Sequence, residues 1–146
     1  ESGEEYVATL NRIKVFLSAD SGMGEYMLKN FEAMAAGCLL LAQDQGAAEN
    51  DAIGFKHMEN VVLYQTADDA VEKYEQITQQ PELMKEIAEN GRILSLKNHS
   101  FSALGHMIAE AAKKPMLPPA EHRRKRGVLD SMLGHIGALL HKSRNS

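Results

Sequence analysis

An α/β domain, built as half of a doubly wound parallel sheet, is the fold class that this sequence predicts. Three observations point to it. Short apolar runs recur at Arg12–Ala19, Cys38–Ala42 and Asn60–Tyr64, each bounded by polar or glycine-rich residues. They carry apolar side chains on both parities, as strands covered on both faces require. Segments with helical spacing follow the first and third runs, and alternation of this kind builds parallel sheets.

The first run, RIKVFLSA, places Ile13, Val15 and Leu17 on one face and Phe16 on the other, and it ends in polar Asp20 and Ser21. Gly22 and Gly24 form a turn, after which Met27, Leu28, Phe31, Met34 and Ala35 repeat at helical intervals until Gly37 supplies a stop. Cys38–Ala42 then reads as a central strand, and residues 43–59 as a loop rich in Gly, Asn and Asp. After the third strand, Thr66 is an N-cap with Asp69 three residues on, and Ala70, Val71, Tyr74 and Ile77 form the inner face of the helix. Pro81 opens another helix, with Leu83, Met84, Ile87 and Ala88 inward and its end at Gly91 or slightly beyond. A last core helix follows Ser100, with Phe101, Leu104, Ile108 and Ala111 in phase. The expected order is β-α-β-β-α-α-α, with three recognisable strands.

Composition bounds the function classes. A chain of 146 residues with 44% hydrophobic and 25% charged side chains is long enough for one globular core. No apolar run long enough for a membrane span and no signal-peptide pattern is readable, which places the chain in the cytoplasm. Cys38, the single cysteine, excludes an internal disulfide and a multi-cysteine zinc site, and at the head of an apolar strand it reads as a buried small hydrophobe. The six histidines show no metal-ligand spacing, so no metal is assigned.

Charge divides the chain. Residues 1–112 hold 8 basic and 18 acidic side chains, a net −10, whereas residues 113–146 hold 8 basic and 2 acidic, a net +6. The acidic body argues against nucleic acid as a partner. On these grounds the expected organisation is a sheet domain over 1–112, a basic proline-containing linker over 113–127 and an amphipathic helix over 128–142. The helix carries Val128, Leu129, Met132, Leu133, Ile136, Leu139 and Leu140 on one stripe. Its destination stands open between its own domain, a partner helix and a membrane surface. The run Arg123, Arg124, Lys125, Arg126 beside it suits anionic lipid or an acidic partner.

The first strand enters with little before it, and residue 1 is Glu rather than Met. The chain therefore reads as a fragment, a processed product or a chain lacking an upstream half. The strand Arg12–Ala19 is expected to be paired with that missing upstream domain or with a second copy.

Five blocks in order carry a family resemblance: VFLSADS, FEAMAAGCLLLAQD, GFKHMENVVLY, DDAVEKYEQI and PELMKEIAENGRILSLKNHSF. Over Tyr6–Ala112 the chain resembles the carboxyl-terminal, Rossmann-like donor-binding domain of GT-B glycosyltransferases, in particular the family 4-like and group 1 glycosyl transferases. The resemblance implies transfer of a sugar from a nucleoside diphosphate sugar (UDP- or GDP-linked) to an unknown acceptor, without a metal or other cofactor. It implies that Glu32 holds the ribose hydroxyls. It also places Gly24, Glu25, Tyr26, Met27 and Leu28 on the phosphate and sugar side, with backbone N–H groups at a helix start facing the diphosphate. The family's sugar-contacting carboxylate falls on Gly24, with Glu25 one place along. The cations that meet the leaving diphosphate and the acceptor-side groups would lie upstream, so this fragment alone is expected to be inactive. The alternative is a non-catalytic nucleotide-binding or protein-interaction module with a basic membrane-surface or partner-binding tail. An ordinary solvated face, with Glu25 and Lys29 as an i,i+4 pair, also accounts for Glu32.

Overall fold

The computed structural model describes residues 3–19, 22 and 24–115. Nine elements follow one another: α1 (Gly3–Leu10), β1 (Val15–Ser18), α2 (Leu28–Ala35), β2 (Leu39–Gln43), α3 (Ala47–Ile53), β3 (Val62–Tyr64), α4 (Ala67–Thr78), α5 (Pro81–Asn98) and α6 (Phe101–Ala112). The chain divides into two units, Glu1–Met107 and Ile108–Ser146. The sheet and α1–α5 belong to the first.

The strands form one parallel sheet in the order β1-β2-β3, so the expected α/β fold with a Rossmann-like half sheet is what the chain adopts. Val15 lies opposite Leu39, and Leu41 opposite both Leu17 and Val62. β2 is apolar on both parities because both of its faces are covered. Leu39 and Leu41 pack with Val62, Tyr64, Ala70, Ile77 and Ile87 on one side. Leu40 and Ala42 pack with Met34, Phe55, Val61 and Leu63 on the other. Among the described residues β1 pairs only with β2. An apolar groove of 780 Å³ lies between α4 and the sheet face that carries Val15, Leu17, Leu41 and Tyr64, and Leu17 is 62% exposed.

Two helices lie where no element was expected. α1 packs through Leu10 onto Ala33 and Cys38, and α3 occupies part of the expected loop between Gly46 and a left-handed Gly54. Both are short, at eight and seven residues, and each buries a single residue, so neither shows a long apolar period. Cys38 is fully buried, with its Sγ 3.3 Å from the Leu10 carbonyl oxygen, and burial pushes its thiol up. α5 continues to Asn98, seven residues past Gly91. Gly91 marks close packing rather than a helix stop, because a Cβ there would sit 2.7 Å from the Asn60 carbonyl oxygen and 3.1 Å from the Met34 Cε. The basic run 123–126 and the expected helix 128–142 lie outside the described residues.

Candidate functional site

In a parallel β-α-β sheet the helix after each strand starts at the strand's carboxyl end, where ligand crevices open. Here that edge comprises Ser18 of β1, Gln43 of β2 and Tyr64 of β3, followed by the starts of α2, α3 and α4. The Tyr64 hydroxyl donates to the Ser18 carbonyl oxygen at 3.0 Å and ties the outer two strands together across β2.

Behind β2 lies a polar corner. Asp44 accepts from the Gly46 N–H at 2.9 Å, from Asn50 Nδ2 at 2.8 Å and from Gln65 Nε2 at 3.2 Å. The Asn50 bond, and next the Gly46 bond, hold its carboxyl below the ordinary range. Asn50 Oδ1 accepts from the Tyr26 hydroxyl at 2.6 Å. Tyr26 in turn accepts from the Gln45 N–H at 3.3 Å and packs edge-on against Phe55, and burial pushes its phenol up to about 12. Tyr26, expected on the phosphate side, thus clamps the β2–α3 loop onto the segment that enters α2. Sequence reading missed Asp44; its one signal was being the first carboxylate after the central strand.

The start of α2 differs in kind. Met27 is extended at the N-cap position with no side-chain cap, and the first turn holds no acid. Its only charged residue is Lys29, which is exposed. An uncapped helix start leaves N–H donors without intrahelical partners, and its dipole favours an anion. Gly24, at φ 69°, sits in the left-handed region, where glycine is at ease and a glutamate would be strained. Glu25 is exposed. Leu28, the first residue of α2, is 59% exposed.

Glu32 lies one turn into α2 and is exposed. The Tyr6 hydroxyl of α1 donates to its Oε2 at 2.9 Å, and that bond, with lesser help from burial, raises the Tyr6 phenol. Glu32 also borders a 210 Å³ cleft with Leu28, Phe31, Leu96, His99 and Phe101. His99 stacks on Phe31 at 4.4 Å and donates from Nε2 to the Ile53 carbonyl oxygen at 2.9 Å. The α2 segment therefore carries an anion-friendly helix start and an exposed carboxylate one turn apart.

Among the described residues no group of three or more His, Cys, Asp or Glu side chains is placed to hold a metal ion, and no helix is long and apolar enough to cross a membrane. Comparison with curated proteins found no match, and comparison with solved structures found none. A family model described as "Glycosyl transferase-like" matches residues 2–109, which takes in the whole sheet, α2 with Glu32, and the capped helix α4. With the parallel half sheet, the exposed carboxylate of α2 and a match over most of its length, the chain belongs to the glycosyl transferase-like family.

Proposed function

We propose that this chain is the donor-binding part of a glycosyltransferase that moves a sugar from a nucleoside diphosphate sugar to an acceptor. The observation that carries the reading is α2 itself. Its start is uncapped, free of acid and flanked by Lys29, and Glu32 follows one turn later. The diphosphate meets the N–H groups of Leu28 and Lys29, and the Lys29 ammonium adds a cation beside them. The Glu32 carboxylate accepts from the two ribose hydroxyls, which takes it over from Tyr6. In this arrangement protein groups meet the phosphate charge and no metal is called for. Stabilising negative charge on a departing nucleoside diphosphate is the catalytic task such a site serves.

The test is thermal stabilisation by UDP and by GDP, with and without EDTA. A ligand present at 100 times its dissociation constant stabilises by about 2.7 kcal/mol. One of the two nucleotides is expected to raise the melting temperature, EDTA to leave the rise unchanged, and Glu32→Ala to remove most of it. Because Glu32→Ala also frees Tyr6, Tyr6→Phe is the control. It is expected to keep or increase the rise, since the carboxylate then has no internal donor to give up. No rise with either nucleotide would sink the reading.

Gly24 favours a second reading. Its left-handed backbone takes the place where the family's sugar-contacting carboxylate is expected, which suits a module that binds a nucleotide without turnover. Nucleotide binding with no transfer or hydrolysis of the sugar by the full-length protein would select it. The basic run Arg123–Arg126 adds a separable property, peripheral attachment to anionic lipid. Sedimentation with phosphatidylserine vesicles that is unchanged on deleting residues 121–146 would remove it.

A further inference from the structure

Among the described residues β3 pairs only with β2, so its other side is an edge of the sheet. The Tyr64 carbonyl oxygen accepts from the Asp44 N–H at 2.8 Å and therefore faces β2. Backbone groups of successive strand residues point to opposite sides, so those of Val61 and Leu63 face outward. An open edge invites stray pairing, and proteins cover it. Here the turn that precedes the strand does so. The Met58 N–H donates to the Val61 carbonyl oxygen at 2.8 Å, and the Leu63 N–H donates to His57 Nδ1 at 3.0 Å.

The second bond carries a condition. A ring nitrogen accepts only while it holds no proton, and an imidazolium has two donors and no acceptor. Protonation of His57 at Nδ1 therefore sets one N–H against another and breaks the bond to Leu63. Strain in the turn pushes the same way, because Met58 lies at φ 60°, in the left-handed region that a side chain disfavours. The rest of the turn is tied by groups that do not titrate. Asn60 Oδ1 accepts from the Lys56 N–H at 2.9 Å, and Asn60 Nδ2 donates to the Gly54 carbonyl oxygen at 3.0 Å. Asn90 Nδ2 of α5 donates to the Glu59 carbonyl oxygen at 3.0 Å. What protonation can release is thus confined to His57 and Met58.

We propose that His57 is a pH-operated latch on the outer edge of the sheet: the neutral ring closes the Leu63 amide, and the protonated ring lets go and frees Met58 from Val61. Burial, and next the Lys73 ammonium of α4, disfavour the imidazolium, while Asp69 of α4 and Asp44 after β2 favour it. Within the turn, Lys56 and Glu59 pair with each other at 3.1 Å. The balance holds the His57 pKa below its ordinary value of 6.5. The stability that this bond gives is therefore complete above about pH 6.5 and is lost as pH falls through the native pKa. The latch is independent of the donor-binding reading.

The experiment is amide hydrogen exchange of the full chain, read residue by residue by NMR at about pH 7.5 and about pH 5, on either side of the ordinary histidine pKa. Each amide is expressed as protection relative to its intrinsic rate, in wild type, His57→Asn and His57→Phe. Loss of one hydrogen bond corresponds to about a two- to tenfold fall in protection. In wild type, Leu63 and Met58 are expected to fall by that factor at the lower pH, whereas Lys56, held by Asn60, keeps its protection. His57→Asn offers an oxygen that does not titrate near the Nδ1 position, and His57→Phe offers no acceptor. Both are expected to lose the pH dependence, the first near the protected level and the second near the released one. Three outcomes overturn the latch: protection at Leu63 that is flat with pH in wild type, a fall at Lys56 equal to that at Leu63, or a fall at Leu63 that persists in both variants.

Discussion

α2 and α4 hold the same place in the fold, since each follows a parallel strand and starts at the carboxyl edge of the sheet, yet their first turns are finished in opposite ways. Thr66 caps α4, with its Oγ1 accepting from the Asp69 N–H at 3.2 Å. Asp69 reaches back to accept from the Gln65 N–H at 2.8 Å, and Asp68 and Asp69 place negative charge against the dipole. Lys73 closes the cluster through an ion pair with Asp69. α2 has none of this: Met27 supplies no cap, no acid lies in its first turn, and Asn30 leaves an acceptor unpaired. The chain seals the start of α4 with its own side chains and leaves the start of α2, on the other face of the sheet, without a side-chain cap. The contrast, rather than either helix alone, is what supports the anion site proposed at α2.

That contrast can be tested by damaging the sealed side and sealing the open one. The largest effect belongs to Asp44, whose removal strips three hydrogen bonds from the corner and leaves the buried Asn50 amide without an acceptor. Asp44→Ala is expected to cost about 2 kcal/mol in urea unfolding. Because the native carboxyl titrates below the ordinary value of about 3.9, its contribution is complete above that pH and is lost as pH falls through the native pKa. The variant should therefore lose less stability than wild type on acidification below about pH 4, and an unchanged acid limb would mean that the corner is less coupled to folding than its geometry indicates.

Thr66→Ala comes next, with about 1 kcal/mol lost from the α4 cap and no change in nucleotide affinity. A drop in that affinity would erase the distinction between the two helix starts. Smallest in stability and most informative is Met27→Asp, which gives α2 the cap and the acid it lacks. It is expected to stabilise the unliganded protein by about 0.5–1 kcal/mol and to weaken UDP or GDP binding several-fold. A stabilised variant with undiminished binding would show that the phosphate sits elsewhere.

Much of this architecture was legible in the residues. The apolar runs gave three strands, Thr66 with Asp69 gave the start of α4, and Pro81 gave the start of α5, because each signal is local and has one physical reading. α1 and α3 were not legible. GEEYVATL buries only Leu10 and AAENDAI only Asn50, so neither has the apolar stripe by which a helix is recognised. Gly91 misled for a related reason, since an interior glycine resembles a terminator until the backbone facing it is known. Glu32 was reached through a resemblance and not through its chemistry, and its hydrogen bond to Tyr6 comes from a helix that the sequence did not announce. Asp44 and Asn30 lay furthest from view, because whether a polar side chain is saturated or orphaned depends on partners distant in sequence.

Gly91 also sets a mechanical tolerance. With no side chain between α5 and the Asn60 carbonyl oxygen, α5 lies tightly against the entry to β3, and four residues on, the Ser95 Oγ donates to the Phe31 carbonyl oxygen at 2.8 Å. Phe31 directly precedes Glu32. A methyl group at position 91 would therefore act as a wedge whose far end is the Glu32 turn of α2, so an alteration remote from that carboxylate should still be felt there.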